Sequence, residues 1–107
     1  TLGPKADALI RRTQASDSAG AAVLQAAGAM FIESFVDSLN GVITAQFAAQ
    51  GKKTHPRYSP GYGDVPLETQ RIFFSLLPCA KIGLTLMDSL VMAPEKSVTA
   101  FIGAENL

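Results

Sequence analysis

The sequence of 107 residues contains no tryptophan, a single cysteine and a single histidine. Cys79 has no partner for a disulfide within the chain, and a lone thiol suits a reducing compartment. Cys79 and His55 are too few to build a zinc site. An excess of either charge is also missing, since nine basic and nine acidic side chains leave a net charge of zero. Binding to a nucleic-acid backbone depends on clustered positive charge, so that class of function has no support. The longest apolar-looking stretch, Gly20 to Ile32, is broken by Gln25 and followed by Glu33 and Asp37. It falls short of the roughly 20 apolar residues of a membrane span, and nothing reads as a signal peptide. The expectation is a cytoplasmic protein with neither a membrane nor a nucleic acid as partner.

What is present is enough apolar material for a core. Hydrophobic residues make up 48% of the chain and charged residues 17%, which excludes a disordered composition. Pro4 suits the first turn of a helix running to about Arg12. Asp17 or Ser16 can cap a second, long helix from about Asp17 to Gln50. In it Ala22, Leu24 (or Val23), Ala27, Phe31 and Phe35 recur at helical spacing. The Ala- and Gly-rich first half of this helix is expected to pack on both sides, with a bend or break at Gly20, Gly28 or Gly41. Gly51 suits its C-terminal end.

Residues 51 to 65 read as a loop. A third helix is expected from near Pro66 to just before Pro78, capped by Asp64, with Ile72, Phe73, Leu76 and Leu77 as its core face. Lys81-Ile-Gly83 reads as a turn or a single helical turn. Leu90 to Met92 and Val98 to Ile102 read as a strand hairpin around Ala93-Pro-Glu-Lys96. The fold class is therefore α+β, with long helices packed on a small antiparallel sheet. The chain opens on Thr1 almost at a helix start, which reads as a piece of a longer polypeptide.

The segment Arg57-Tyr-Ser-Pro-Gly-Tyr62 carries the most chemistry. Pro60 fixes one backbone angle, while Gly61 opens conformations closed to other residues and lets a ligand come near. Arg57 offers a planar fork suited to a carboxylate. Tyr58 and Tyr62 can stack on a flat ring or face a cation. A carboxylate clamp beside an aromatic wall suits a nucleoside bearing an amino acid. The plainer alternative is a structural turn with a surface arginine.

Arg57-Tyr-Ser-Pro-Gly-Tyr-Gly-Asp-Val-Pro-Leu-Glu68, Ile72-Phe73, Leu76-Leu77, Lys81-Ile-Gly83 and Met92-Ala-Pro-Glu-Lys-Ser-Val98 with Ile102-Gly103 together resemble the activation domain of vitamin B12-dependent methionine synthase, particularly its short, free-standing members. The likeness extends more weakly through Leu24 to Leu39. The resemblance implies a single domain over residues 1–107 that lacks the family's N-terminal strands and binds S-adenosylmethionine for the reductive reactivation of cobalamin. The implied partners are a cobalamin-binding domain or corrinoid protein and a flavodoxin-type electron donor. Carried over by position, the binding arginine falls on Arg57 and a backbone contact on Ser59. The motif's glycine and tyrosine fall on Gly61 and Tyr62, and a helix glutamate on Glu33. A charge interrupting a helix expected to be buried would also need a partner, which supports Glu33 independently; the plainer alternative is a solvent-facing glutamate on an amphipathic helix.

No residue is assigned a catalytic or metal-ligating role, because the chemistry would lie on the partner's cobalamin. Two departures stand out. The family's N-terminal acidic ligand-binding residue has no counterpart, and its Leu-Thr-Glu-Ser string appears as Leu86-Met87-Asp88-Ser89. Rival readings are an interaction module that docks a corrinoid protein without binding ligand, and a related corrinoid system with another methyl acceptor. Cys79 reads as a small buried hydrophobe, and His55 and the Lys52-Lys53 pair as surface. An unfinished sheet and an Ala/Gly-rich helix would also allow a homo-oligomer.

Overall fold

The computed structural model describes residues 1–107. Helix α1 spans Pro4–Ser16 and helix α2 spans Ser18–Ala48. The two pack against one another across a single joint, Asp17. Pro4 sits in the first turn of α1, where its missing N–H costs nothing. Asp17 Oδ1 accepts a hydrogen bond from the Gly20 N–H at 2.9 Å, occupying one of the donors that the start of α2 leaves free. α2 runs without a break through Gly20, Gly28 and Gly41. Gly51, at φ 73°, turns the chain back beyond its end.

The returning chain builds the ribbon that positions the candidate site. Strand β1 (Lys52–Thr54) pairs antiparallel with strand β4 (Ala104–Asn106), Lys53 lying opposite Glu105. The pairing continues irregularly, with the His55 N–H donating to Gly103 O and a two-way bridge joining Tyr58 and Phe101. The Tyr58 and Phe101 rings lie 6.0 Å apart, and Phe73, on α3 (Gln70–Leu76), lies 6.2 Å from Phe101. A second two-stranded sheet pairs β2 (Thr85–Leu86) with β3 (Met92–Ala93). The fold is therefore α+β, three helices with small antiparallel sheets.

Several expectations are corrected. Residues 51 to 65 are not all loop, because Lys52-Lys53-Thr54 is a strand set by pairing with the far end of the chain. The hairpin forms between 85–86 and 92–93, not across Pro94, and of residues 98–102 only Phe101 bridges, to Tyr58. Asp64 caps nothing. Leu67–Thr69 form a 3-10 turn after Pro66, and α3 follows with no side-chain cap. Ile72, Leu76 and Leu77 are exposed, and the buried residue of α3 is Gln70. The Ala/Gly half of α2 is not packed on both sides, since in α2 only Ala21 and Ile32 are buried. The 3-10 turn at Cys79–Ile82 agrees with the expected helical turn, and Cys79 is buried as expected.

The interior is thin. Eight residues are buried, among them Ala21, Ile32, Cys79 and Leu84. The accessible surface is 7261 Å², against about 5,700 Å² for a typical folded monomer of this mass. Much of the excess is apolar. Val23, Met30, Phe31, Phe35, Leu39 and Val42 of α2 are all exposed. α2 is also the one helix long and apolar enough to cross a membrane. Glu33 and Asp37 near its middle would be costly in hydrocarbon; here they face the cation of Arg57.

Candidate functional site

The ribbon sets Arg57 between His55, which bonds to Gly103, and Tyr58, which bridges Phe101. Side chains alternate across an extended strand. The Tyr58 ring lies beside that of Phe101, tilted by 32°, while Arg57 reaches α2. Its Nη2 donates to Asp37 Oδ1 at 2.7 Å and to Glu33 Oε2 at 3.1 Å. Its Nη1 makes a long contact, 3.5 Å, with Asn40 Oδ1. Residues 33, 37 and 40 share one face of α2 because they stand four and three positions apart. The carboxylates raise the Arg57 pKa, the hydrogen bond to Asp37 contributing most, while burial opposes the shift.

Glu33 is not the buried carboxylate expected of a buried helix. Its side chain is 60% exposed and that of Asp37 68%, against 24% for Arg57. The reason is the open face of α2. Glu33 nevertheless has the expected kind of partner, and that partner is another residue singled out from sequence.

Two concavities flank this ion cluster. One is a groove of about 420 Å³ whose walls include Ile32, Glu33, Ser59, Tyr62, Lys96 and Thr99. It is framed by α2, by the loop of residues 59–62 and by the stretch from Met92 to Thr99. The other, of about 360 Å³, is apolar, with Val36, Leu39, Ile43, Ile82, Leu84 and Cys79 in its walls. Arg57, Asn40 and Thr99 are the polar residues of its lining. Val98 and Thr99 belong to both. The Arg57–Glu33 contact thus joins a lining residue of one concavity to a lining residue of the other.

Among the five residues singled out, Glu33, Ser59 and Tyr62 line the same groove, and Arg57 reaches it through Glu33. Gly61 does not line it. Its φ of 89° and the Leu67 methyl 3.4 Å from where a Cβ would stand give it a turn-forming role. Lys96 lies along α2, its stem about 3.1 Å from a Cβ built on Gly28, and its Nζ donates to Gln25 Oε1 at 2.6 Å. A close approach of this kind explains a glycine inside α2. His55 meets Glu105 at 3.3 Å on the surface.

Asp37, Asn40, Gln70 and Thr99 were not singled out from sequence. The first two were detectable as polar positions in register with Glu33 on one helical face. Gln70 and Thr99 are both buried, with the Thr99 hydroxyl 2.7 Å from Gln70 Oε1, and both line the groove. Nothing local marks that pair. No group of three or more His, Cys, Asp and Glu side chains comes together to hold a metal ion. Compared with protein-family models and with curated proteins, the chain matches none.

Proposed function

We propose that this chain binds S-adenosylmethionine in the groove between α2, the loop of residues 59–62 and the stretch from Met92 to Thr99, as a module for the reductive remethylation of cobalamin held by a partner protein. One observation carries the reading. The two stretches on which the resemblance to the methionine synthase activation domain chiefly rests, Arg57–Glu68 and Met92–Val98, are far apart in sequence, yet both contribute walls to a single groove. Glu33, from the weaker extension of the resemblance through Leu24 to Leu39, lines it as well and holds Arg57. The groove is within the size range of small-molecule sites.

The roles follow from donor geometry. Each bidentate fork of a guanidinium includes one terminal nitrogen that Arg57 already shares between Glu33 and Asp37. A ligand carboxylate takes a fork when one of these acids turns away. Glu33 lines the groove, so it turns toward the ligand's ammonium or ribose hydroxyls and its place on Arg57 passes to the carboxylate. Tyr62, exposed beside the groove, offers a ring to stack on the adenine. Ser59 supplies a backbone contact. The bound ligand would supply an electrophilic methyl group, and the protein's share is to position it.

Titration calorimetry with S-adenosylmethionine tests the reading. Binding that weakens by about 2–4 kcal/mol in Arg57→Ala supports it, as expected when one partner of a charged pair is removed. Absence of heat from the folded wild-type chain sinks it. The rival reading as a docking module predicts no heat with the nucleoside and retained association with a corrinoid protein.

A further inference from the structure

The cluster holds more negative charge than its arginine balances. Arg57 faces two carboxylates, Glu33 and Asp37. The other charged residues lining the groove, Glu95 and Lys96, cancel one another. With these groups charged, the groove and its ion cluster carry one net negative charge, so an anionic ligand is disfavoured and a cation favoured.

Asp37 is the source of this excess. It lines neither concavity, makes the shorter of the two contacts to Arg57, and stands one helical turn beyond Glu33. If Glu33 leaves Arg57 for the ligand, Asp37 still holds the guanidinium, and the net charge is unchanged. We infer that Asp37 sets a charge preference of this groove, favouring the sulfonium form of the nucleoside over the thioether that remains after the methyl group is lost. The inference rests on the S-adenosylmethionine reading above.

The charge balance is simple. S-Adenosylmethionine carries a sulfonium, an ammonium and a carboxylate, and is a cation overall. When the methyl passes to a nucleophile, the carbon–sulfur bond breaks and its electron pair stays on sulfur. The product, S-adenosylhomocysteine, is neutral overall. A groove with a net negative charge holds the first more tightly and lets the second leave. Asp37 is a positioning and selectivity residue in this scheme, because it touches Arg57 and not the ligand.

The test measures the affinities of the whole chain for both nucleosides, with and without the substitution Asp37→Asn. The amide keeps an oxygen for the Arg57 hydrogen bond and removes only charge. Taking the ratio of the two Kd values cancels effects shared by both ligands, including any change in Arg57 geometry. We expect the wild type to prefer S-adenosylmethionine. The preference should fall about three- to tenfold in Asp37→Asn, the size of one charge pair at about 8 Å across partly solvated surface. The wild-type preference should also shrink as ionic strength rises from about 0.02 to 0.5 M, because the Debye length shortens. An unchanged ratio in the variant overturns the inference while leaving the ligand reading intact. A wild type that binds both equally does the same. A wild type that binds neither sinks the ligand reading and the inference with it.

Discussion

Replacing Arg57 by alanine perturbs two things that can be measured apart. The first is the tie between ribbon and helix. Arg57 is the only residue joined by ion pairs to α2, through Glu33 at 3.1 Å and Asp37 at 2.7 Å. Both carboxylates are more than half exposed, so each pair is worth about 0.2–1 kcal/mol after screening. Removing the guanidinium also leaves two like charges four positions apart on α2, which costs about 0.2–0.5 kcal/mol. Arg57 also lines the apolar concavity, so losing its side-chain stem adds lost packing. The expected destabilisation is about 1–2 kcal/mol, read as a lower denaturant midpoint at unchanged slope. The pKa of Arg57 is raised in the fold, so this stabilisation is complete at neutral pH and disappears only as pH rises through the guanidine's own alkaline range. The Arg57→Ala deficit should therefore not change between about pH 6 and 9 on account of the arginine. The second effect is on ligand affinity and is expected to be larger, about 2–4 kcal/mol. A variant that loses stability as stated but binds S-adenosylmethionine like the wild type would refute the role of Arg57 as a ligand clamp and leave it a structural tie.

Other expectations follow from burial. Leu84, 5% exposed, should cost about 2–4 kcal/mol when cut to alanine, whereas Phe35→Ser on the open face of α2 should change stability by less than about 0.5 kcal/mol; urea melts of the two variants check the contrast. Gln70→Leu should cost about 1–3 kcal/mol because it strands the buried Thr99 hydroxyl. The double variant Gln70→Leu, Thr99→Val should recover most of that loss, and a double-mutant cycle showing simple additivity would contradict it. Asp17→Ala removes the cap of α2 and should lower stability by about 1 kcal/mol, measurable as a drop in the thermal midpoint.

The features legible in the sequence are those whose cause is local. Asp17 caps α2 through a residue three positions on, Pro4 opens α1, and the Cys79–Ile82 turn ends at Gly83 in the left-handed region, φ 72°. Each needs only a few neighbours to be read. Lys52-Lys53-Thr54 has no such signature. It is a strand only because Ala104–Asn106 lies beside it, and those residues are nearly half the chain away. Strand propensity depends on such partners far more than helix propensity does. The displaced hairpin has the same origin, since Thr85–Leu86 offered too short an apolar run to compete with Val98 to Ile102 as a partner for Met92–Ala93.

Helical periodicity misled in a different way. It established that Phe31 and Phe35 share a face of α2, but spacing alone does not say whether anything covers that face, and nothing in this chain does. The face that does meet the rest of the chain runs through Ala29, Ile32, Glu33, Val36, Asn40 and Ile43. Its polar members were legible one at a time as interruptions of an apolar helix, and for Glu33 that interruption supported an assignment made by the resemblance. The step that sequence could not supply was the ribbon. Pairing of Tyr58 with Phe101 sends the neighbouring Arg57 to the opposite side, onto α2. A shift of that pairing by one residue would exchange the sides of Arg57 and Tyr58. The guanidinium would then leave both carboxylates and the ring would enter the ion cluster. The candidate site is thus a consequence of register, and the Tyr58–Phe101 bridge is the contact that holds it.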